Sequence, residues 1–207
     1  MGLVAKDGGG KKIPPVPAAV YNAVCYMVMD LGTHFDKKFS KHSHSVLIGW
    51  ELPTERIIIE KDGVKHDLPR AISKKYTLSL HEKAALRKDL QTWRGKMFTE
   101  EEAKGFDLNN LLGKSCMIQV IHEKNGETTY ANVGAIMPIM KGVTPLVAEN
   151  PLRFYSIDDN RDVIPDGTPQ WIIDQIRSSE EWQAFGPTEE VPVGEEEPPP
   201  GDDDVPF

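Results

Sequence analysis

The chain has 207 residues, with 24 Lys+Arg against 32 Asp+Glu, two cysteines and 39% hydrophobic residues. Setting aside a loose N-terminus and a polar tail leaves about 150–170 residues, enough for one domain with a real core. No apolar run approaches the ~18 residues of a membrane span. Residues 1–15 are Gly- and Lys-rich without the apolar stretch of a secretory signal, and Lys6 stands where a myristoylation signal needs Ser or Thr, so a cytoplasmic protein is expected. The acidity is local. Residues 187–207 hold Glu189, Glu190, Glu195, Glu196, Glu197, Asp202, Asp203 and Asp204, eight acids and no base. Residues 1–186 then carry 24 bases and 24 acids, so overall acidity does not exclude nucleic-acid binding.

In chain order, residues 1–15 read as a flexible basic arm. The apolar run 16–31 predicts a long first strand from about Ala19 to Asp30. Gly32 to Ser43 reads as a loop in which Phe35 and Phe39 alternate with Lys37, Lys38 and Lys41. Ser45 to Leu52 predicts a second strand ended by Pro53. Arg56 to Glu60 and Val64 to Leu68 flank Lys61-Asp62-Gly63, a hairpin signal. Lys74 to Leu80 predicts a further short strand. Ser79 with Glu82 has capping-box spacing, and Leu86, Leu90, Trp93 and Met97 form one helical stripe. Thr99 with Glu102 repeats the box for a second short helix. Residues 115–123 and 127–139 predict a strand pair around Asn125-Gly126. Thr168-Pro169 opens a last helix carrying Trp171, Ile172, Gln175, Ile176 and Trp182, with Pro at its first position. Cys25 and Cys116 fall in strand-like runs and read as reduced core residues. No role is predicted for residues 138–161 beyond extending or wrapping the body.

The sequence ends Gly201-Asp202-Asp203-Asp204-Val205-Pro206-Phe207. Three carboxylates before a small apolar residue, a proline and a phenylalanine suit a partner pocket greasy at its base and basic at its rim. Residues 187–200, rich in Pro, Glu and Gly, cannot pack a core and read as a disordered tether. The tip resembles that of bacterial single-stranded DNA-binding proteins, where acidic residues precede Ile-Pro-Phe; Val205 stands in place of Ile. Across residues 18–140, Tyr21-Asn22-Ala23, Asp30-Leu31-Gly32, Lys74-Lys75-Tyr76-Thr77, Trp93-Arg94-Gly95 and Leu112-Gly113-Lys114 are similar to phage-encoded single-stranded DNA-binding proteins.

The resemblance implies a mainly β, α+β body: an oligonucleotide/oligosaccharide-binding (OB) barrel over 16–186, with a helix between strands 3 and 4 and a C-terminal helix. The predicted element order fits that arrangement. The implied activity is non-enzymatic. The protein would coat single-stranded DNA in replication, recombination or repair, in the cytoplasm of a phage's bacterial host. Asp202, Asp203, Asp204, Val205, Pro206 and Phe207 would recruit partner enzymes. Barrels of this kind act as monomers, dimers or tetramers.

Sequence-neutral binding needs cations for phosphates and aromatic faces for bases, each stack contributing ~1–3 kcal/mol. The leading cluster is His34, Phe35, Lys37, Lys38, Phe39 and Lys41, because aromatics in a Lys-rich loop have little packing reason to be there. Arg70, Lys74, Lys75 and Tyr76 form a second cluster, which fits a solvated turn before a core tyrosine equally well. Arg94, Lys96, Lys114, Lys124 and Tyr130 form a third, in which cations at helix ends also complement the dipole. Trp50 is a candidate stacking platform in a strand, whereas Trp93 belongs to the helix's core stripe. His34, His42 and His44 lack the cysteines or H-x-x-x-H helix of a zinc site, so no metal and no cofactor are expected. A strand-annealing or recombination-mediator protein, or a protein-interaction module without DNA binding, are the alternative readings.

Overall fold

The computed structural model describes residues 13–61, 63–160 and 163–184. Its first strand, β1 (Val20–Asp36), outruns the predicted one. Gly32 does not begin a loop. The register slips between Asp30 and Gly32, Gly32 takes φ +71°, and pairing resumes to Asp36↔Lys41. Nor does Pro53 end the second strand, β2 (Lys41–Lys61). Pairing with β3 (Val64–Thr77) jumps from Leu52↔Arg70 to Arg56↔Pro69, so Pro53 lies in a bulge, where its missing N–H breaks no ladder. The predicted pieces 45–52 and 56–60 are therefore one strand. The hairpin signal holds: Lys61 pairs with Val64 and Gly63 has φ +76°.

Helix α1 (Ala85–Arg94) follows. The Ser79–Glu82 capping box does not form, because the helix starts later, with Ala84 as N-cap and no side-chain cap; Ser79 Oγ accepts from His81 N at 3.2 Å instead. Leu86, Leu90 and Trp93 are buried as the stripe predicts, each burial contributing about 1.5–3 kcal/mol. Met97 leaves the stripe and is exposed, since Gly95 at φ +67° ends the helix before it. In α2 (Glu100–Lys104) the Thr99–Glu102 box is present in both directions, each bond 3.1 Å. Strands β4 (Ser115–Asn125) and β5 (Thr128–Met137) close at Asn125↔Thr128.

The sheet order is β3-β2-β1-β4-β5, antiparallel throughout and strongly curled into a half-barrel, with α1 between β3 and β4. The curl follows from β1, which holds β2 along residues 24–36 and β4 along residues 20–24. Inside lie Cys25, Val28, Ile48, Trp50, Ile118 and the buried face of α1. Burial pushes the Cys25 thiol up to about 12 and raises Cys116 likewise, so both are inert core residues.

β3 and β5 are the outer strands, and the segment Ile13–Val16 runs along the seam between them. Arg70 Nη1 donates to Pro14 O at 2.8 Å, and His122 Nε2 donates to Val16 O at 2.8 Å.

Residues 138–160 and 163–184 wrap the outer face of the sheet. Leu146 N donates to Ser115 Oγ at 2.8 Å. The fully buried Glu51 carboxylate accepts from Glu149 N, Asn150 N and Asn150 Nδ2 at 2.9, 2.8 and 2.6 Å. A short strand, β6 (Arg153–Tyr155), then pairs parallel to β1 at Met27–Met29. α3 (Ile157–Asn160), α4 (Gln170–Arg177) and α5 (Glu180–Ala184) follow. Met27, Met29, Leu31 and Leu47 meet Tyr155, Ile157, Ile172 and Ile176 in a second core. The single predicted last helix is thus two. Ser179 Oγ donates to Ile176 O at 2.6 Å and accepts from Trp182 N at 3.2 Å, which breaks one helix and caps the next. Pro169 serves as N-cap of α4 rather than its first helical residue. Among the described residues no helix is long and apolar enough to cross a membrane.

Candidate nucleic-acid interface

The turn joining β1 to β2 is built by Asp36. Its Oδ1 accepts from Lys38 N at 2.9 Å and Phe39 N at 3.2 Å, and Ser40 adopts φ +48°. Phe35 is 52% and Phe39 62% exposed. Lys38 Nζ and Lys41 Nζ sit 5.4 and 5.7 Å from the centroid of Phe39. Among the described residues, Lys37, Lys38 and Lys41 form no ion pair. Two unburied rings and three unpaired cations therefore share one turn, the combination that single-strand binding requires.

Two histidines of this region, His42 and His44, reach carboxylates of α5. His42 Nδ1 meets Glu180 Oε1 at 2.5 Å while its ring lies 5.1 Å from Phe35. His44 Nε2 meets Asp30 Oδ1 at 2.6 Å, and His34 Nε2 reaches Leu31 O at 2.9 Å. Thr33 N and Oγ1 donate to Glu181 at 2.7 and 2.5 Å. A side chain at position 32 would strike Ser179, so Gly32 permits this close approach. The hydrogen bond to Asp30 raises the His44 pKa. Burial alone would raise Asp30, yet His44 and the Gly32 and Ile157 amides hold it below its usual value. Sequence reading missed this docking of α5 on β1. Its signal was Ser178-Ser179 before Glu180-Glu181, a helix start in the middle of a presumed helix. Among the described residues no group of three or more His, Cys, Asp or Glu is placed to hold a metal.

The second predicted cluster comes apart, because strand alternation sends its members to opposite faces. Tyr76 is buried and donates to Asp89 Oδ2 of α1 at 2.8 Å, which, with burial foremost, raises its pKa strongly. No base can stack on it. Lys74 Nζ shares that carboxylate at 2.7 Å and is likewise structural. Lys75, on the outward face, lies 3.5 Å from Gln175 Oε1 of α4. Trp50 is also withdrawn as a platform: it is fully buried, 5.9 Å from the core ring of Trp93. Arg94 is engaged by Glu102 and lies 4.4 Å from the centroid of Phe98 and 5.1 Å from that of Phe106. Lys96 is exposed but also reaches Glu102 at 3.1 Å. The Thr99 amide, then Arg94 and Lys96, hold the Glu102 carboxyl down to about 2.

The structure brings together Arg70 and Tyr130, which sequence had placed in different clusters. Both line a groove of about 550 Å³ along the β3–β5 seam, floored by Ile57, Ile59 and Leu68 and edged by Ile13–Val16. Tyr130 is 50% exposed, and Arg70 Nε is buried with no hydrogen-bond partner among the described residues. Lys124 stands exposed at the β4–β5 hairpin beyond it.

No protein-family model, curated protein or solved structure matches the chain. The tail residues Asp202, Asp203, Asp204, Val205, Pro206 and Phe207 lie outside the described residues.

Proposed function

We propose that the protein binds single-stranded DNA without sequence preference, through an OB-type barrel, and recruits replication, recombination or repair enzymes through Asp202–Phe207. The observation that carries the reading is the β1–β2 turn, where the exposed rings of Phe35 and Phe39 stand among three lysines that form no ion pair with any described residue. The Arg70–Tyr130 groove offers a second place for a base and a phosphate. The order of strands, with a helix between β3 and β4, agrees with such a barrel. The proposed setting is a phage replication system in bacterial cytoplasm, as the resemblance of the tip and of residues 18–140 implies.

The wrapped outer face narrows the path available to DNA. Residues 138–160 and 163–184 cover β1 and part of β2, so a bound strand runs along uncovered surface, past the turn or the groove. Fluorescence anisotropy of labelled oligo-dT with the full chain across a salt series, with duplex as competitor, tests the proposal. Single-strand binding should weaken with a log–log slope of about −0.7 per phosphate contacted. Absence of binding at low salt, with the full chain and after removal of 187–207, would overturn it and leave a protein-interaction module. A strand-annealing assay on the same samples separates coating from annealing.

A further inference from the structure

Beyond the bulge at Pro53, β2 and β3 continue as a two-stranded arm in which Arg56 pairs with Pro69 and Lys61 with Val64. An isolated two-stranded ribbon is marginal in water, and this one carries exposed apolar residues: Ile58 is 68%, Val64 56% and Leu68 42% exposed. β3 is also an edge strand, hydrogen-bonded to β2 and to no other strand among the described residues. Natural edges are usually guarded against pairing. Here the exposed edge reads Val64-Lys65-His66-Asp67-Leu68, an apolar residue and a cation mirrored by an anion and an apolar residue about a central histidine.

We propose that a second copy of this chain adds to the arm by antiparallel β3–β3 pairing across a two-fold axis at His66. In that register Lys65 stands opposite Asp67 of the other copy, twice, and Val64 opposite Leu68, twice. The neighbouring registers are worse on simple grounds. Centring on Lys65 or Asp67 puts like charges face to face, and half-step registers set Val64 against Asp67 or Lys65 against Leu68. Pro69, which has no N–H, limits the pairing on its outer side.

Asp67 is held in place by Arg56 at 3.1 Å while its side chain stays 62% exposed, so it is positioned for a second cation. Val64, His66 and Leu68 share a strand face, and the Ile57↔Leu68 and Ile59↔His66 pairs put the two isoleucines on that face too. Pairing therefore joins the apolar faces of two arms into one four-stranded ribbon. Five residues a side bury less than the ~800 Å² per partner of a stable dimer, so the contact is transient in free solution and cross-linking is the suitable readout.

The test uses the full chain without DNA. Residues opposite one another across an antiparallel pair lie about 4.5–5.5 Å apart at Cα, within the roughly 4.4–6.8 Å of a disulfide. The native cysteines are both buried and contribute little background. Under mild oxidation, His66→Cys should form a disulfide-linked dimer at least about tenfold faster than His81→Cys, an exposed control on another part of the surface, because pairing raises the effective thiol concentration. Adding Lys65→Asp should abolish that advantage, and adding Asp67→Lys to the pair should restore it. Equal rates for His66→Cys and His81→Cys, or an advantage insensitive to Lys65→Asp, would overturn the proposal. Oligo-dT affinity of the same variants is a separate readout, so failure of the pairing is distinguishable from failure of DNA binding.

Discussion

Two short stretches of this chain look alike on paper: Phe35 to Lys41, and Lys74-Lys75-Tyr76. Both mix lysines with aromatics near a strand end, and both suit a nucleic-acid surface. In the folded protein they are opposites. The first flanks a four-residue turn, and more than half of each ring is exposed among the described residues. In the second, Tyr76 and Lys74 lie beneath α1, where Asp89 holds both the hydroxyl and the ammonium, and Lys75 alone faces outward. Composition names the chemistry available; a neighbouring carboxylate and a packed helix decide whether that chemistry faces solvent or core.

The sharpest way to break the comparison is to truncate aromatics on each side of it. Trp50→Ala, in the core beside Trp93, should cost about 3–5 kcal/mol of stability in denaturant unfolding. Trp50→Phe should cost much less, since it also deletes a buried Nε1–H that has no partner among the described residues. Tyr76→Phe should cost about 1 kcal/mol and leave oligo-dT affinity unchanged. Phe35→Ala and Phe39→Ala should reverse that pattern. Each should leave stability within about 0.5 kcal/mol and weaken single-strand binding by about 1–3 kcal/mol, or roughly 5- to 150-fold. Equal DNA losses for Tyr76→Phe and Phe39→Ala would erase the distinction between the clusters.

Much of this pattern was legible before the fold. Periodicity placed Leu86, Leu90 and Trp93 in the core, Thr99–Glu102 marked a helix start, and the Lys-rich loop stood out by its aromatics. What misled was punctuation. Gly32 and Pro53 stop strands in isolation, yet here both are bulge residues, because the partner strand supplies register on either side. Trp50 and Tyr76 misled for another reason: a strand of a curled sheet can be buried on either face, and alternation alone does not say which face the helix covers. The Arg70–Tyr130 groove joins residues 60 positions apart and needed the β3–β5 seam to appear. The wrap is pinned at residues 149–150 by Glu51, a buried carboxylate that no pattern announces.

Smaller effects separate the cations. Lys37→Ala, Lys38→Ala and Lys41→Ala should each reduce the salt slope of oligo-dT binding by about 0.7 if each meets one phosphate, whereas Lys74→Ala should leave the slope alone. The tail supplies the complementary perturbation. Its eight carboxylates follow α5, which docks on β1 at Thr33, close to the lysine turn. Removing 187–207 should tighten single-strand binding most at low salt, where the competing carboxylates are least screened. An unchanged affinity at every ionic strength would show that tail and turn act independently.

The smallest expected effect is a pH dependence of the α5 docking. His44 has its pKa raised from 6.5, chiefly by its hydrogen bond to Asp30, so its contribution is fully present below that value and fades as pH rises through the raised one. Asp30 and Glu181 are held below 3.8 and 4.5 despite burial, so theirs are present above those values and fade as pH falls through the lowered ones. Asp158 also faces His44 and adds to its raised pKa. The clasp is therefore firmest between about pH 4.5 and 6.5. Thermal unfolding monitored by tryptophan fluorescence should show stability declining from pH 6 to 8 in the parent chain, and His44→Gln should flatten that decline. A decline that persists unchanged in His44→Gln would place the pH-sensitive group elsewhere. Beside that clasp, His42 meets both the Phe35 ring and Glu180, so the hairpin that presents Phe35 to solvent also touches α5.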